Sequence, residues 1–190
     1  LPGYDLLVQA MGGLMSITGQ PDGVPGGGPV KVGVALVDIL TGLYATIGIQ
    51  AALRHRERTG EGQQIDLALL DVSGAVLANQ AMNYLATGQA PGRLGNGHPN
   101  IVPYDVYPTR DGHLILAVGN DGQFAALAAL LGEPGWAQDP DFASNSARVR
   151  QRHRLNALIA ERLLARSSAE WRAMLEAAGV PGGPILTLDA

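Results

Sequence analysis

The chain has 190 residues, 46% of them apolar, and a formal net charge of −4, enough for one domain with a real core or two small ones. It has no cysteine, which excludes disulfides, thiolate nucleophiles and zinc–thiolate sites. It also has no basic tail to draw it to nucleic acid or an anionic membrane surface. With 26 glycines, 12 prolines and no low-complexity run, it reads as turn-rich and globular. No apolar run reaches the ~20 residues of a membrane helix and no signal peptide is visible, so a soluble, cytoplasmic protein that binds neither membrane nor nucleic acid is expected. The first residue is Leu1 rather than Met, and the last three are Leu188, Asp189 and Ala190, just after an apolar run. We therefore read the sequence as a fragment of a longer protein.

Leu6, Leu7, Ala10, Met11 and Leu14 recur at helical spacing and predict a helix over 4–18, with Asp5 near its start. Gly12 and Gly13 weaken it by roughly 1 kcal/mol each relative to alanine, which implies close packing against a neighbour. Residues 19–29 form a loop; Gly26, Gly27 and Gly28 could cradle a phosphate, but no strand precedes them and the dinucleotide fingerprint is absent.

The run 32–43 is almost wholly small or branched apolar residues, with one acid, Asp38. A carboxylate in such surroundings loses hydration, so it is either held by donors or used chemically. From the residues alone, a helix cap, a buried ion pair and a nucleophile stand on an equal footing. A helix is expected over 38–58, with Leu40, Leu43, Tyr44, Ile47 and Ala51 on its apolar face and Gly60 just past its end. Arg54, His55, Arg56 and Arg58 crowd its last turn, where cations suit the helix dipole. Residues 64–69 read as a strand leading to Asp71, the N-cap of a third helix reaching residue 85. Helix, strand and helix at this spacing fit an α/β layer with parallel strands.

Composition changes at Gly88, and 90–103 is a glycine- and proline-rich linker or functional loop. A hairpin follows, with strands over 104–109 and 114–118 around Asp111 and Gly112. Asp121 caps a short helix ending near residue 131, and two more helices run over 147–165 and 169–178. The last opens on a Ser167-x-x-Glu170 capping box. A final extended run covers 185–188. The four arginines Arg148, Arg150, Arg152 and Arg154 line a solvated helix face, with contacts to an anionic phosphate as the alternative.

Four segments together carry a resemblance. They are Pro2-Gly3-Tyr4-Asp5-Leu6-Leu7 with Gly12-Gly13-Leu14-Met15, then Val34-Ala35-Leu36-Val37-Asp38 with Thr41-Gly42, and His55-Arg56-Glu57-Arg58-Thr59-Gly60-Glu61-Gly62-Gln63. The fourth is Gly95-Asn96-Gly97-His98-Pro99 running into Pro103-Tyr104, with Asp111-Gly112 and Val118-Gly119-Asn120-Asp121. In this order and spacing the chain resembles the family III CoA-transferases (the CaiB/BaiF family), which include formyl-CoA transferase, carnitine CoA-transferase and α-methylacyl-CoA racemase. The tract from Arg93 to Tyr104 is most similar to the dicarboxylate-type members.

The resemblance implies an α/β fold: part of a doubly wound, Rossmann-like large domain over 1–70, then a linker helix and glycine loop over 71–103. A smaller α+β domain would span 104–180, with a return linker beginning at 181–190. It implies an interlocked homodimer in the full-length protein, coenzyme A as a substrate, and no tightly bound cofactor or metal. Asp38 aligns with the family's nucleophile. Gly95, Asn96, Gly97 and His98 stand in its glycine loop, which is shorter here than in formyl-CoA transferase. Tyr4, Asp5 and Asp121 align near the active site. The function implied is transfer of CoA between an acyl-CoA thioester and a carboxylic acid through aspartyl anhydride and aspartyl-CoA intermediates. Two alternatives remain: an acyl-CoA racemase of the same fold, which a tyrosine in place of the racemase histidine at position 4 disfavours, and a non-catalytic acyl-CoA-binding or assembly fragment. The acyl donor, the acceptor acid and the adenine and phosphate contacts of CoA are not legible in these residues.

Overall fold

The structure is a computed structural model that describes residues 3–190; Leu1, and Pro2 of the first family-like segment, lie outside the described residues. The chain divides into two compact units, one ending at Gly95 and one beginning at Asn96, inside the glycine- and proline-rich stretch. It is a mixture of helices and one small sheet.

The first unit is helical: α1 (Asp5–Met11), α2 (Leu14–Ile17), α3 (Leu36–Thr59), α4 (Leu69–Val76) and α5 (Ala78–Thr87). The single helix expected over 4–18 is broken, because Gly13 takes a left-handed φ of 88° that starts α2 on a new axis. Close packing at the glycine pair is real. A Cβ on Gly12 would lie 2.1 Å from Ser73 Oγ of α4, so only glycine lets α1 approach that helix. The strand expected over 64–69 is absent: among the described residues this segment joins no sheet ladder, and at its end Ala68 is extended as the N-cap of α4. Asp71 is not an N-cap. Ala68 occupies that position, and Asp71 lies inside the first turn.

The buried apolar cluster of this unit is small, formed by Val8, Leu14 and Val37 with Ile17, Val32, Leu36, Leu69 and Leu77 partly packed on it. Helix α3 begins two residues before its expected start and ends on Gly60 at a left-handed φ of 79°, whose N–H bonds back to Arg56 O. Its expected apolar face is largely uncovered, with Leu43 at 55% and Ile47 at 66% exposure. At 24 residues, α3 is also long and apolar enough, by length and composition, to cross a membrane. This corrects the expectation that no apolar run reaches the length of a membrane helix.

The second unit carries the sheet. Strands β1 (Tyr104–Pro108) and β2 (His113–Ala117) form the expected antiparallel hairpin, with Tyr107 opposite Leu114 and Asp105 opposite Leu116. A third strand, β3 (Gly182–Pro184), pairs antiparallel with the other edge of β2. It lies just before the extended run expected over 185–188, and glycine decides the place: a Cβ on Gly182 would lie 2.8 Å from Leu175 Cδ1 and 2.9 Å from Ile115 O. Helices α6 (Asp121–Leu130), α7 (Asn145–Arg150), α8 (Arg152–Leu163) and α9 (Ser168–Ala177) complete the unit, with a 3₁₀ turn at Pro134–Ala137. The helix expected over 147–165 breaks at Gln151.

Leu114 and Leu116 of the sheet pack into one core with Phe124, Leu127, Phe142, Leu155, Ile159, Leu163, Trp171 and Leu175, all essentially buried. Each such side chain contributes about 1.5–3 kcal/mol on burial. The capping box of α9 is complete: Ser167 Oγ accepts the Glu170 N–H, and the Glu170 carboxylate accepts the Ser167 N–H at 2.8 Å.

Candidate active site

Asp38 is the third residue of α3 and its side chain is exposed, so the carboxylate keeps the hydration that its apolar flanks in sequence suggested it would lose. It stands in the first turn, where unpaired N–H groups and the positive end of the helix dipole favour an anion. Its own side chain makes no hydrogen bond or ion pair among the described residues. The capping belongs to another acid. Asp5 of α1 accepts the Val37 N–H at 2.8 Å and, more weakly, the Asp38 N–H at 3.4 Å through Oδ1. This settles the alternatives left open by sequence to the extent that Asp38 neither caps a helix nor sits in a buried ion pair.

Gln9, one helical turn beyond Asp5, extends this bracket. Its Nε2 donates to Asp5 Oδ2 at 2.6 Å, its Oε1 accepts the Val32 N–H at 2.9 Å, and the residue is fully buried. Asp5 and Gln9 together fix the start of α3 and so the backbone that carries Asp38. Sequence reasoning missed Gln9, although its i, i+4 spacing from Asp5 is the available signal. Tyr4 lies beside this bracket and is 84% exposed.

The second group of candidate residues begins at the end of the first unit. Gly95 takes a left-handed φ of 63°, and its N–H donates to Gly19 O at 2.9 Å. In the second unit, Asn96 and Gly97 lead to His98, whose N–H donates to Tyr104 O at 3.0 Å. Arg152, the first residue of α8, donates to His98 O at 3.2 Å and to Pro99 O at 2.6 Å. The Asn100 N–H donates to His98 Nδ1 at 3.1 Å, and the imidazole lies 5.2 Å from the Tyr104 ring, centroid to centroid. Burial and then the Arg152 charge push the His98 pKa below its ordinary value. Asp105, on the inward face of β1 opposite Leu116, is half-buried and accepts the Val106 N–H at 2.8 Å. Burial raises its pKa, with the Val106 N–H and Arg152 pulling the other way.

Asp121 does not cap α6. Asn120 is the N-cap, accepting the Gln123 N–H at 2.9 Å, and Asp121 instead accepts from Arg148 Nη2 at 2.7 Å. Arg148 is wholly buried, also donating to Val102 O and Phe142 O, with its guanidinium 4.4 Å from the Phe124 ring centroid. The solvated arginine face expected over residues 148–154 is therefore wrong for Arg148, and Arg152 is committed to the loop. Elsewhere in the first unit, an apolar groove of about 600 Å³ is lined by Leu7, Val8, Met11, Leu67, Leu69 and Leu70. Arg54, His55 and Arg58 border a separate open groove at the end of α3. Among the described residues no three His, Asp or Glu side chains gather as a metal site requires.

Comparison with known proteins extends these observations. The chain is 53% identical over 187 residues to succinate–glutarate CoA-transferase of Agrobacterium fabrum, covering 98% of this chain and 46% of that protein. It is 41% identical over 186 residues to acetyl-CoA:oxalate CoA-transferase of Acetobacter aceti, covering 97% of this chain and 47% of that protein. Among solved structures, a CaiB/BaiF family protein from Brucella suis matches with a TM-score of 0.76 and 53% identity, over 98% of this chain and 48% of that one. The chain thus spans about half the length of the curated relatives it matches. The model of CoA-transferase family III matches residues 1–190 from end to end, and the chain belongs to that family.

Proposed function

We propose that the protein containing this chain transfers CoA between an acyl-CoA thioester and a carboxylic acid, with Asp38 as the nucleophile. The observation that carries the reading is an exposed, uncommitted carboxylate at the positive end of α3, on backbone fixed by Asp5 and Gln9. The Asp38 carboxylate attacks the thioester carbonyl, and the C–S bond breaks to give a mixed anhydride and CoA thiolate. The thiolate then attacks the aspartyl carbonyl, expelling the donor acid as a carboxylate and leaving an aspartyl-CoA thioester. The acceptor carboxylate attacks that thioester, forming a second anhydride and freeing the thiolate again. Attack of the thiolate on the acceptor's acyl carbon gives the new acyl-CoA and restores Asp38.

Dicarboxylic acids are the proposed substrate class. The relatives named above carry glutarate, succinate and oxalate in their names, and the tract from Arg93 to Tyr104 resembles that subgroup. In this reading the first unit is part of a doubly wound large domain, the second is the small domain, and the full-length protein is a cytoplasmic homodimer. Tyr4 in place of a racemase histidine speaks against the isomerase alternative. The full-length enzyme incubated with succinyl-CoA and quenched with hydroxylamine should carry a hydroxamate at Asp38 by mass spectrometry, and Asp38→Ala should abolish transfer. A hydroxamate at another residue, with Asp38→Ala still active, overturns the assignment.

A further inference from the structure

We propose that Asp5 is a positioning residue for the transfer: it takes N–H groups at the start of α3 and so leaves the Asp38 carboxylate free to attack. The proposal rests on the transferase reading and adds to it what keeps the nucleophile available. An acid in the first turn of a helix is drawn to the unpaired N–H groups there, and Asp38 stands in that position. Each N–H from Leu36 to Ile39 already has an acceptor. The Leu36 N–H donates to Val34 O at 2.8 Å, and the Ile39 N–H donates to Ala35 O at 3.1 Å. Val37 and Asp38 donate theirs to Asp5 Oδ1 at 2.8 and 3.4 Å. The Asp38 side chain itself stays exposed.

Asp5 wins this competition because it is held from behind. Gln9 is fully buried, and its Oε1 accepts the Val32 N–H at 2.9 Å, which turns Nε2 toward Asp5 Oδ2 at 2.6 Å. Both Asp5 oxygens therefore accept, one from α3 and the other from Gln9. Gln9 Nε2 also lies 3.5 Å from Val34 O, the carbonyl that takes the Leu36 N–H. All of these residues belong to the first unit. The Asp5 side chain is already ordered by its bond to Gln9, so it binds the N–H groups at less entropic cost than the exposed Asp38.

The chemistry gives this division of roles a purpose. A carboxylate oxygen that accepts hydrogen bonds must give them up before its lone pair can attack, so an Asp38 that capped its own helix would be a slower nucleophile. It would also drop that cap each time it became an anhydride or a thioester, and the backbone beneath it would shift within the cycle. With Asp5 as the cap, the bonds at the start of α3 persist while Asp38 passes from carboxylate to acyl form and back.

The test uses the full-length enzyme with Asp5→Ala and Asp5→Asn, each assayed well below its melting temperature. Alanine releases the Val37 and Asp38 N–H groups to the Asp38 carboxylate and should lower kcat about 10-fold, with KM for succinyl-CoA little changed. In a single turnover the hydroxamate at Asp38 should form more slowly by the same factor. Asparagine keeps an acceptor oxygen and should recover most of that loss. A cap that served stability alone would lower the melt and leave kcat of the folded enzyme unmoved. A wild-type measurement stands even if Asp5→Ala misfolds. Hydrogen exchange at the Val37 amide should agree within about twofold between the free enzyme and the aspartyl-CoA form, made with succinyl-CoA and cleared of succinate. The proposal is overturned by wild-type kcat in Asp5→Ala, by an asparagine variant as slow as alanine, or by Val37 protection that falls on acylation. Wild type that forms no hydroxamate at Asp38 sinks the transferase reading itself, and this is seen before any variant is made.

Discussion

Asp5 Oδ1 and the Val37 amide nitrogen are 2.8 Å apart although 32 residues separate them in sequence, so helix α3 is capped by a side chain from helix α1. The residue at the N-cap position, Ala35, has no side chain able to do this. Asp5→Ala removes the acceptor of the Val37 N–H and frees Gln9 Nε2, and should cost about 1–2 kcal/mol in a denaturant melt. Asp5→Asn keeps an acceptor oxygen and should cost less than half as much. Equal melts for wild type and Asp5→Ala would show that water caps α3 equally well.

Arg148 and Asp121 make a different kind of pair. The guanidinium is fully buried against Val102 O, Phe142 O and the Phe124 ring, while the side chain of Asp121 remains 61% exposed. Arg148→Ala opens a void and strands two carbonyls, and should destabilise the second unit by about 3–5 kcal/mol. Asp121→Asn leaves both carbonyl bonds and admits water to the exposed side of the pair, so about 1 kcal/mol is expected. Chemical denaturation of the two variants checks the order. If Asp121→Asn proves the more damaging, the carboxylate, not the carbonyls, is what makes the buried charge tolerable.

Such a pair was hidden in the sequence for a geometric reason. Arg148, Arg150, Arg152 and Arg154 are spaced by two, and at 100° per residue that spacing alternates between opposite sides of a helix, so four arginines could not share one solvated face. The elements that sequence identified, such as α3 with its closing glycine, the β1–β2 hairpin and the Ser167–Glu170 box, are specified by neighbours within a few residues. The ones it misread depend on distant partners: the unpaired segment before α4, the glycine pair whose Gly12 packs on Ser73, and β3 at Gly182 against Leu175. At the candidate site, Asp5, Asp38 and His98 stood out through family-like motifs. Gln9 and Arg152 did not, because their work is done on backbone groups 23 and 54 residues away.

Acid should loosen the second unit at one corner. Asp111 accepts the Ser168 N–H and Glu170 accepts the Ser167 N–H, and both carboxylates are held below their ordinary pKa values by these bonds first. A depressed folded-state value means the stabilisation is complete above the unfolded carboxylate range and is lost as pH falls through the folded values. The start of α9 should therefore be fully capped above about pH 5 and fray as pH drops below about 4. Amide exchange at Ser167 and Ser168, followed from above about pH 5 down through the folded values below about pH 4, reads this directly. Asp111→Asn with Glu170→Gln should flatten the dependence, and an unchanged acid response in that double variant would place its cause elsewhere.

The apolar exposure of α3 makes a prediction about the chain on its own. A helix uncovered and apolar on several sides, with Ile39, Leu43, Tyr44, Ile47 and Ile49 all at 44% exposure or more, is built for a core or a bilayer. Asp38 in its first turn and Arg56 and Arg58 in its last are tolerated in either setting, so composition does not decide. The chain spans about half the length of the relatives it matches, and the prediction is that further protein surface in the full-length protein covers this helix. Produced alone, residues 1–190 should self-associate in sedimentation experiments and bind an apolar dye, while the full-length protein should do neither to the same degree. Leu43→Lys with Ile47→Lys should disperse the isolated chain yet strongly destabilise the full-length protein. Should the double lysine variant leave the full-length melt unmoved, these positions face solvent there too, and the coverage argument fails.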